Sequence, residues 1–121
     1  MKSKDYIINE LTCFVEKFSK VRVRYEYDEN ALVHTIEVLP NDIYHLDEDY
    51  ILWEMQVFEK FIKIYQTENI CFISDDALVG IENPIFIKEG LDYAIFLHCV
   101  NLNHRGMGLR SSAPIFSNWM L

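Results

Sequence analysis

The sequence predicts an α+β fold, a two-layer sandwich in which both long helices cover one face of a mostly antiparallel sheet. Three observations lead to this prediction. Apolar residues recur at helical spacing in residues 3–19 and again in residues 47–66. Apolar and charged residues alternate in residues 21–27, as in a strand with one face in water. The predicted order is therefore helix, strand, strand, helix, strand, strand.

The first helix is predicted to begin with Ser3 or Asp5 as its N-cap and to end near Ser19. It carries one apolar stripe, made of Ile7, Leu11, Phe14 and Phe18. A helix with one stripe covers one surface. This helix is expected to lie on the sheet with its other side in water.

A hairpin is predicted next. Its strands cover residues 21–27 and 32–39, and residues 28–30 form the turn. Asn30 is the expected position for a positive φ, since Asn tolerates that conformation. Pro40 ends the second strand because proline cannot continue a ladder.

The second helix, from about Asp47 to Gln66, carries two apolar stripes. The Ile51 stripe consists of Ile51, Met55, Phe58, Ile62 and Tyr65, and the Trp53 stripe of Tyr50, Trp53, Val57, Phe61 and Ile64. Such a helix is expected to be sandwiched between its own sheet and a second surface. The Ile51 stripe is assigned to the core and the Trp53 stripe to the second surface. Asp47 is expected to cap the helix.

The later strands are predicted from shorter apolar segments. Residues 70–73 are apolar on both sides, which favours a central or doubly covered strand. Ser74 to Asp76 are polar and interrupt the apolar pattern after this strand. Residues 84–87 indicate a short edge strand, and residues 93–100 indicate the last strong strand. The predicted core contains Val21, Val23, Tyr25, Ile36, Val38, Phe72, Ile95 and Leu97 with Leu11, Phe14, Phe18, Met55, Phe58 and Ile62.

The chain is predicted to form a single domain over residues 1–100, followed by an irregular tail over residues 101–121. Glycine, serine and proline interrupt the tail, yet it finishes with apolar side chains that include Phe116 and Trp119. Burial of these groups would offset the ordering of the segment. The tail is therefore expected to dock on its own domain or on a neighbouring chain.

Composition argues against some classes of protein. A formal charge of -8 disfavours nucleic acid as a partner, since phosphate backbones are bound mainly by clustered Lys and Arg. No apolar run approaches the length of a membrane span, and no targeting signal is recognised at the start. Cys13, Cys71 and Cys99 are interpreted as small buried residues in a reducing compartment. A cytoplasmic location without a membrane partner is expected.

The strongest reactive candidates are His98 and Cys99, with His104 nearby. Adjacent residues on a strand point to opposite faces, so His98 is badly placed to activate Cys99. Asp75 and Asp76 follow a predicted strand and could bind a cation, but they are interpreted as part of a turn. His34 and His45 are isolated and receive no role. No metal, cofactor or catalytic residue is predicted.

The sequence therefore favours a non-catalytic protein-interaction module, adaptor or chaperone-like, that binds a protein partner and forms a homodimer. The residues assigned to the interface are Trp53, Val57, Phe61, Phe116 and Trp119. The alternative is a small enzyme or metal-dependent binder that uses His98 and His104 with Asp75 or Asp76.

Overall fold

The computed structural model describes residues 2–95 of the chain. The elements in these residues are α1 (Ser3–Lys17), β1 (Arg22–Asp28), β2 (Val33–Leu39), α2 (Asn41–Leu46), α3 (Glu48–Ile64), β3 (Asn69–Ile73) and β4 (Phe86–Glu89). The predicted order of long helices and strands is confirmed. The short helix α2 was not predicted, because Pro40 and the polar residues after it indicated only the end of a strand.

The strands of the described chain form one four-stranded sheet in the order β3-β2-β1-β4. β1 pairs antiparallel with both β2 and β4, whereas β2 and β3 run parallel. The predicted α+β class with a mostly antiparallel sheet is thus confirmed. The register places Val23 opposite Val38 and Tyr25 opposite Ile36, and all four side chains are buried on one face.

Aromatic contacts join both long helices to that face. Phe14 of α1 stacks on Trp53 of α3 with ring centroids 4.0 Å apart. Trp53 in turn meets Phe72 of β3 edge to face at 5.9 Å. Because Phe72 is paired with Ile36 in the register, it shares the buried face of the sheet. The two helices therefore pack on each other and on the same side of the sheet.

The other face of the sheet carries the charged residues of the alternation. Arg24 of β1 donates two hydrogen bonds to Glu37 opposite it, from Nε to Oε1 at 2.7 Å and from Nη2 to Oε2 at 2.9 Å. Glu37 is buried, and the two-pronged contact with Arg24 satisfies both of its carboxylate oxygens. This ion pair thus joins β1 to β2 on the polar face of the sheet.

The hairpin turn differs from the prediction. Leu32, not Asn30, has the positive φ, at 57°. The Asp28 carboxylate accepts hydrogen bonds from the backbone N–H groups of Asn30 and Ala31 and so organises the start of the turn. The strained position consequently falls two residues later than residue preferences alone would place it.

Two strand predictions are wrong in part. β3, predicted to be central or covered on both faces, is neither in the described chain, because only β2 pairs with it there and Cys71 is exposed on one of its faces. Tyr93 to Ile95 are helical where the last strong strand was predicted to begin. Ile95 is 64% exposed, so its assignment to the core is also wrong. The remainder of that prediction, Leu97 included, and the tail lie outside the described residues.

A close backbone approach determines where the chain leaves β4. A Cβ atom at Gly90 would lie 2.2 Å from the carbonyl oxygen of Ser19. The N–H of Gly90 donates to the carbonyl of Val21, and Asp92 is tied to Ser19 by its backbone and side chain. Glycine is required here by space and not by its φ.

The described cysteines also differ from expectation. Cys13 and Cys71 are free and exposed, not buried. Cys13 lies outside the stripe with which α1 contacts the core, and Cys71 points away from the helices because it alternates with Ile70 and Phe72. Cys99 lies outside the described residues.

Candidate functional site

The clearest candidate site is the exposed apolar side of α3. The helix begins as predicted, with the Asp47 carboxylate accepting a hydrogen bond from the N–H of Tyr50 at 2.9 Å. Glu48 and Asp49 lie in its first turn and Lys63 in its last turn. These charges suit the helix dipole, which favours acids at the start and bases at the end.

The Trp53 stripe faces the core. Tyr50 and Phe61 are fully buried, Val57 is 6% exposed, and Trp53 is partly buried against the core. The centroid of the Phe61 ring lies 6.3 Å from that of Tyr6 and 5.1 Å from that of His34. The side chains assigned to the second surface, Trp53, Val57 and Phe61, therefore pack inside the chain. The rings of Trp53 and Phe61 contact Phe14 and Tyr6 of α1, and Trp53 also contacts Phe72 of the sheet. These two rings therefore fill the space between α1 and the sheet.

The Ile51 stripe faces outward. Ile51 is 37% exposed, Met55 54%, Phe58 42% and Ile62 39%. The assignment of Met55, Phe58 and Ile62 to the core is therefore wrong. We call Ile51, Met55, Phe58 and Ile62 the outer stripe. Leu52, at 55% exposed, extends it on one side.

At the C-terminal end of α3 the pattern of burial is reversed for the last residue of each stripe. Tyr65, predicted with the Ile51 stripe, turns inward and contacts the rings of Tyr6 and Phe61. Ile64, predicted with the Trp53 stripe, is 57% exposed. The outer stripe therefore ends at Ile62, and Ile64 is an exposed apolar residue outside it.

A buried polar cluster around His34 was missed from the sequence. His34 is fully buried, and both of its nitrogens have partners: Nδ1 lies 2.6 Å from the Tyr25 hydroxyl and Nε2 lies 2.5 Å from Glu68 Oε1. Since a carboxylate only accepts, Nε2 carries the proton, and the Tyr25 hydroxyl donates to Nδ1. Ser3 Oγ also donates to Glu68 Oε1, at 2.7 Å.

The environment of this cluster favours a neutral imidazole. Burial lowers the pKa of His34 below its ordinary value, although Glu68 partly opposes the shift. Burial alone would raise the pKa of Glu68, but hydrogen bonds from His34 and Ser3 outweigh it and the pKa is lowered. The cluster joins the start of α1 to β1, β2 and the segment before β3. Strand alternation carried a signal for it, because His34 is in phase with Ile36 and Val38.

The alternative site is only partly within the described chain. Asp75 and Asp76 are exposed in a turn, and Asp76 Oδ2 lies 2.8 Å from His45 Nε2, also exposed. Within residues 2–95, no group of three or more His, Cys, Asp and Glu side chains could hold a metal ion. His98 and His104, like Phe116 and Trp119 of the predicted interface, lie outside the described residues.

Among the described residues, no helix has the combined length and apolar character needed to cross a bilayer. Comparison of the chain with protein-family models, with curated proteins and with solved structures finds no match.

Proposed function

We propose that this chain is a non-catalytic protein-interaction module, of adaptor or chaperone-like type, and that the outer stripe of α3 is its binding surface. The observation that carries the proposal is the stripe itself. Four apolar side chains, Ile51, Met55, Phe58 and Ile62, are aligned on one helix and each is more than a third exposed. Contiguous apolar surface of this kind usually marks an interface.

Each of these residues keeps more than a third of its surface in water in the folded chain. The core of the chain is completed by the neighbouring stripe of α3, where Tyr50, Val57 and Phe61 are buried. Polar residues at Met55 or Phe58 would be compatible with the helix and would keep apolar surface out of water. Their apolar character is therefore explained by a second surface that covers them, since burial of that surface contributes about 25 cal/mol per Å2.

The chemistry of the described residues also supports a non-catalytic role. Both nitrogens of His34 are already bonded to Tyr25 and Glu68, which leaves neither of them for a substrate. Asp75 and Asp76 are exposed in a turn. A catalytic constellation normally needs converging groups in a concave pocket.

A cytoplasmic location forms part of the proposal. Cys13 and Cys71 carry free thiols at exposed positions. Exposed free thiols fit a reducing compartment, because an oxidising one favours disulfides.

The proposal is tested by capture of partners from the native host with a tagged copy of the full chain. Phe58→Glu places a charge in the middle of the outer stripe. Ile64→Glu makes the same chemical change at an exposed apolar residue of the same helix, outside the stripe. We expect Phe58→Glu to lose the specifically bound protein and Ile64→Glu to retain it. Retention by both variants would show that the outer stripe is not the binding surface.

A further inference from the structure

The outer stripe has the spacing of a coiled-coil seam. Ile51, Met55, Phe58 and Ile62 are separated by four, three and four residues. This is the alternation of d and a positions in a heptad, in which side chains of one helix fit between those of another. The stripe is therefore suited to a helix as its partner.

The spacing is also unchanged when the direction of the helix is reversed. If two copies of α3 pack antiparallel about a two-fold axis, Ile51 meets Ile62 of the second copy, and Met55 meets Phe58 of the second copy. Each layer then pairs a d position with an a position, as in antiparallel coiled coils. A surface that binds its own copy in this way is self-complementary, which is the requirement for a symmetric dimer.

The charges of α3 favour the antiparallel direction. In this register the charged residues that flank the seam are Glu54, at a g position, and Glu59, at an e position. An antiparallel pair brings e positions beside e positions and g positions beside g positions, so Glu54 of one copy and Glu59 of the other lie on opposite sides of the seam. A parallel pair would place acids beside acids and would align the two helix dipoles side by side.

We propose that the outer stripe binds a second copy of this chain, with two α3 helices packed antiparallel about an axis between Met55 and Phe58. This inference rests on the proposed function and adds the identity of the partner and its orientation. One stripe of four side chains covers less than the roughly 800 Å2 per partner of a typical stable interface. We therefore expect the dimer to exchange with monomer, so that its population depends on protein concentration.

The first test is sedimentation equilibrium of the full chain over a range of concentrations. Wild type shows a mass that rises with concentration toward that of a dimer. Phe58→Glu raises the dissociation constant about tenfold or more, because the charge is desolvated in the seam. Ile64→Glu leaves the dissociation constant within about twofold of wild type. Equal dimerisation of wild type and Phe58→Glu would place self-association elsewhere and overturn the proposal.

The second test measures orientation. Ile51→Cys chains are mixed with Ile62→Cys chains under mild oxidation, with Cys13, Cys71 and Cys99 replaced by serine in both. The antiparallel arrangement predicts that the disulfide joins one variant to the other. Disulfides mainly between identical variants would indicate a parallel pair and overturn the proposed orientation.

The two proposals fail in different ways. A chain that is monomeric at every concentration overturns the second-copy proposal, whether residues 96–121 or a different protein covers the stripe. Partner capture then decides the proposed function separately, since loss of a different protein in Phe58→Glu would keep the interaction role. If that variant also captures the same proteins as wild type, both proposals are wrong.

Discussion

Helices α1 and α3 contribute to the same core but use their surfaces differently. α1 buries Ile7, Leu11, Phe14 and Val15 and, among the described residues, contributes no exposed large apolar side chain. α3 buries one stripe and exposes a second of comparable apolar character. One stripe is enough to attach a helix to a sheet. The second stripe of α3 therefore needs an explanation beyond the folding of this chain.

Replacement of two phenylalanines of α3 gives the largest expected difference between its buried and exposed stripes. Phe61→Ala should lower the free energy of unfolding by about 3–5 kcal/mol, because it leaves a cavity beside Tyr6, His34 and Tyr65. Phe58→Ala should lower it by only about 1–2 kcal/mol, since the residue is 42% exposed. Urea denaturation measures both variants, at a protein concentration low enough to keep the chain monomeric. Equal losses would remove the distinction between the two sides of the helix.

The His34 cluster links the start of α1 to the segment that follows α3, and we expect it to make stability depend on pH. The pKa of His34 is lower in the folded chain than its ordinary value of 6.5. Below about pH 6.5 the unfolded chain therefore binds a proton that the folded chain does not, and the free energy of unfolding falls. Because the pKa of Glu68 is also lowered from its ordinary value of 4.5, the free energy of unfolding falls further below about pH 4.5.

This prediction is measured by urea denaturation between about pH 8 and pH 5. His34→Gln should flatten the decline near pH 6 while also lowering stability at pH 8, because the bonds to Tyr25 and Glu68 change. His45→Gln is the matched control, since His45 is exposed. A wild-type stability that rises toward pH 5 would mean that the buried imidazole is charged in the folded chain.

Helices α1 and α3 also differ in the capping of their N-termini. Asp47 caps α3 through its side chain, whereas Lys2 gives α1 no side-chain cap among the described residues. Asp47→Ala should lower the free energy of unfolding by about 1 kcal/mol, and Lys2→Asp should raise it by about 0.5–1 kcal/mol. Thermal or urea denaturation tests both. A gain at Asp47 or a loss at Lys2 would mean that contacts other than capping dominate there.

The smallest expected effect on stability is that of a charge on the outer stripe. Met55→Glu should change the free energy of unfolding of the monomer by no more than about 0.5 kcal/mol, because Met55 is 54% exposed. The same variant should weaken self-association, as Phe58→Glu does. Unfolding of the monomer by Met55→Glu would instead place this residue in the core.

Features that depend on neighbouring residues were predictable from the sequence. Helical periodicity located α1 and α3 to within about two residues at most ends, and alternation located β1 and β2. The cap at Asp47 followed from its side chain and its position before an apolar run. In each case the physical cause lies within a few residues of the feature.

The tertiary structure decided what periodicity leaves open. Both stripes of α3 have the same period, so only the fit of Tyr50, Trp53 and Phe61 against α1 and the sheet determined which stripe is buried. The edge position of β3 depended on pairing with β2, which is distant in sequence. His34 acquired its role from Glu68, thirty-four residues away. The local elements and the presence of two apolar stripes on α3 thus follow from the order of residues along the chain. The choice between those stripes came from long-range packing, because only the assembled core distinguishes two surfaces that are alike in pattern.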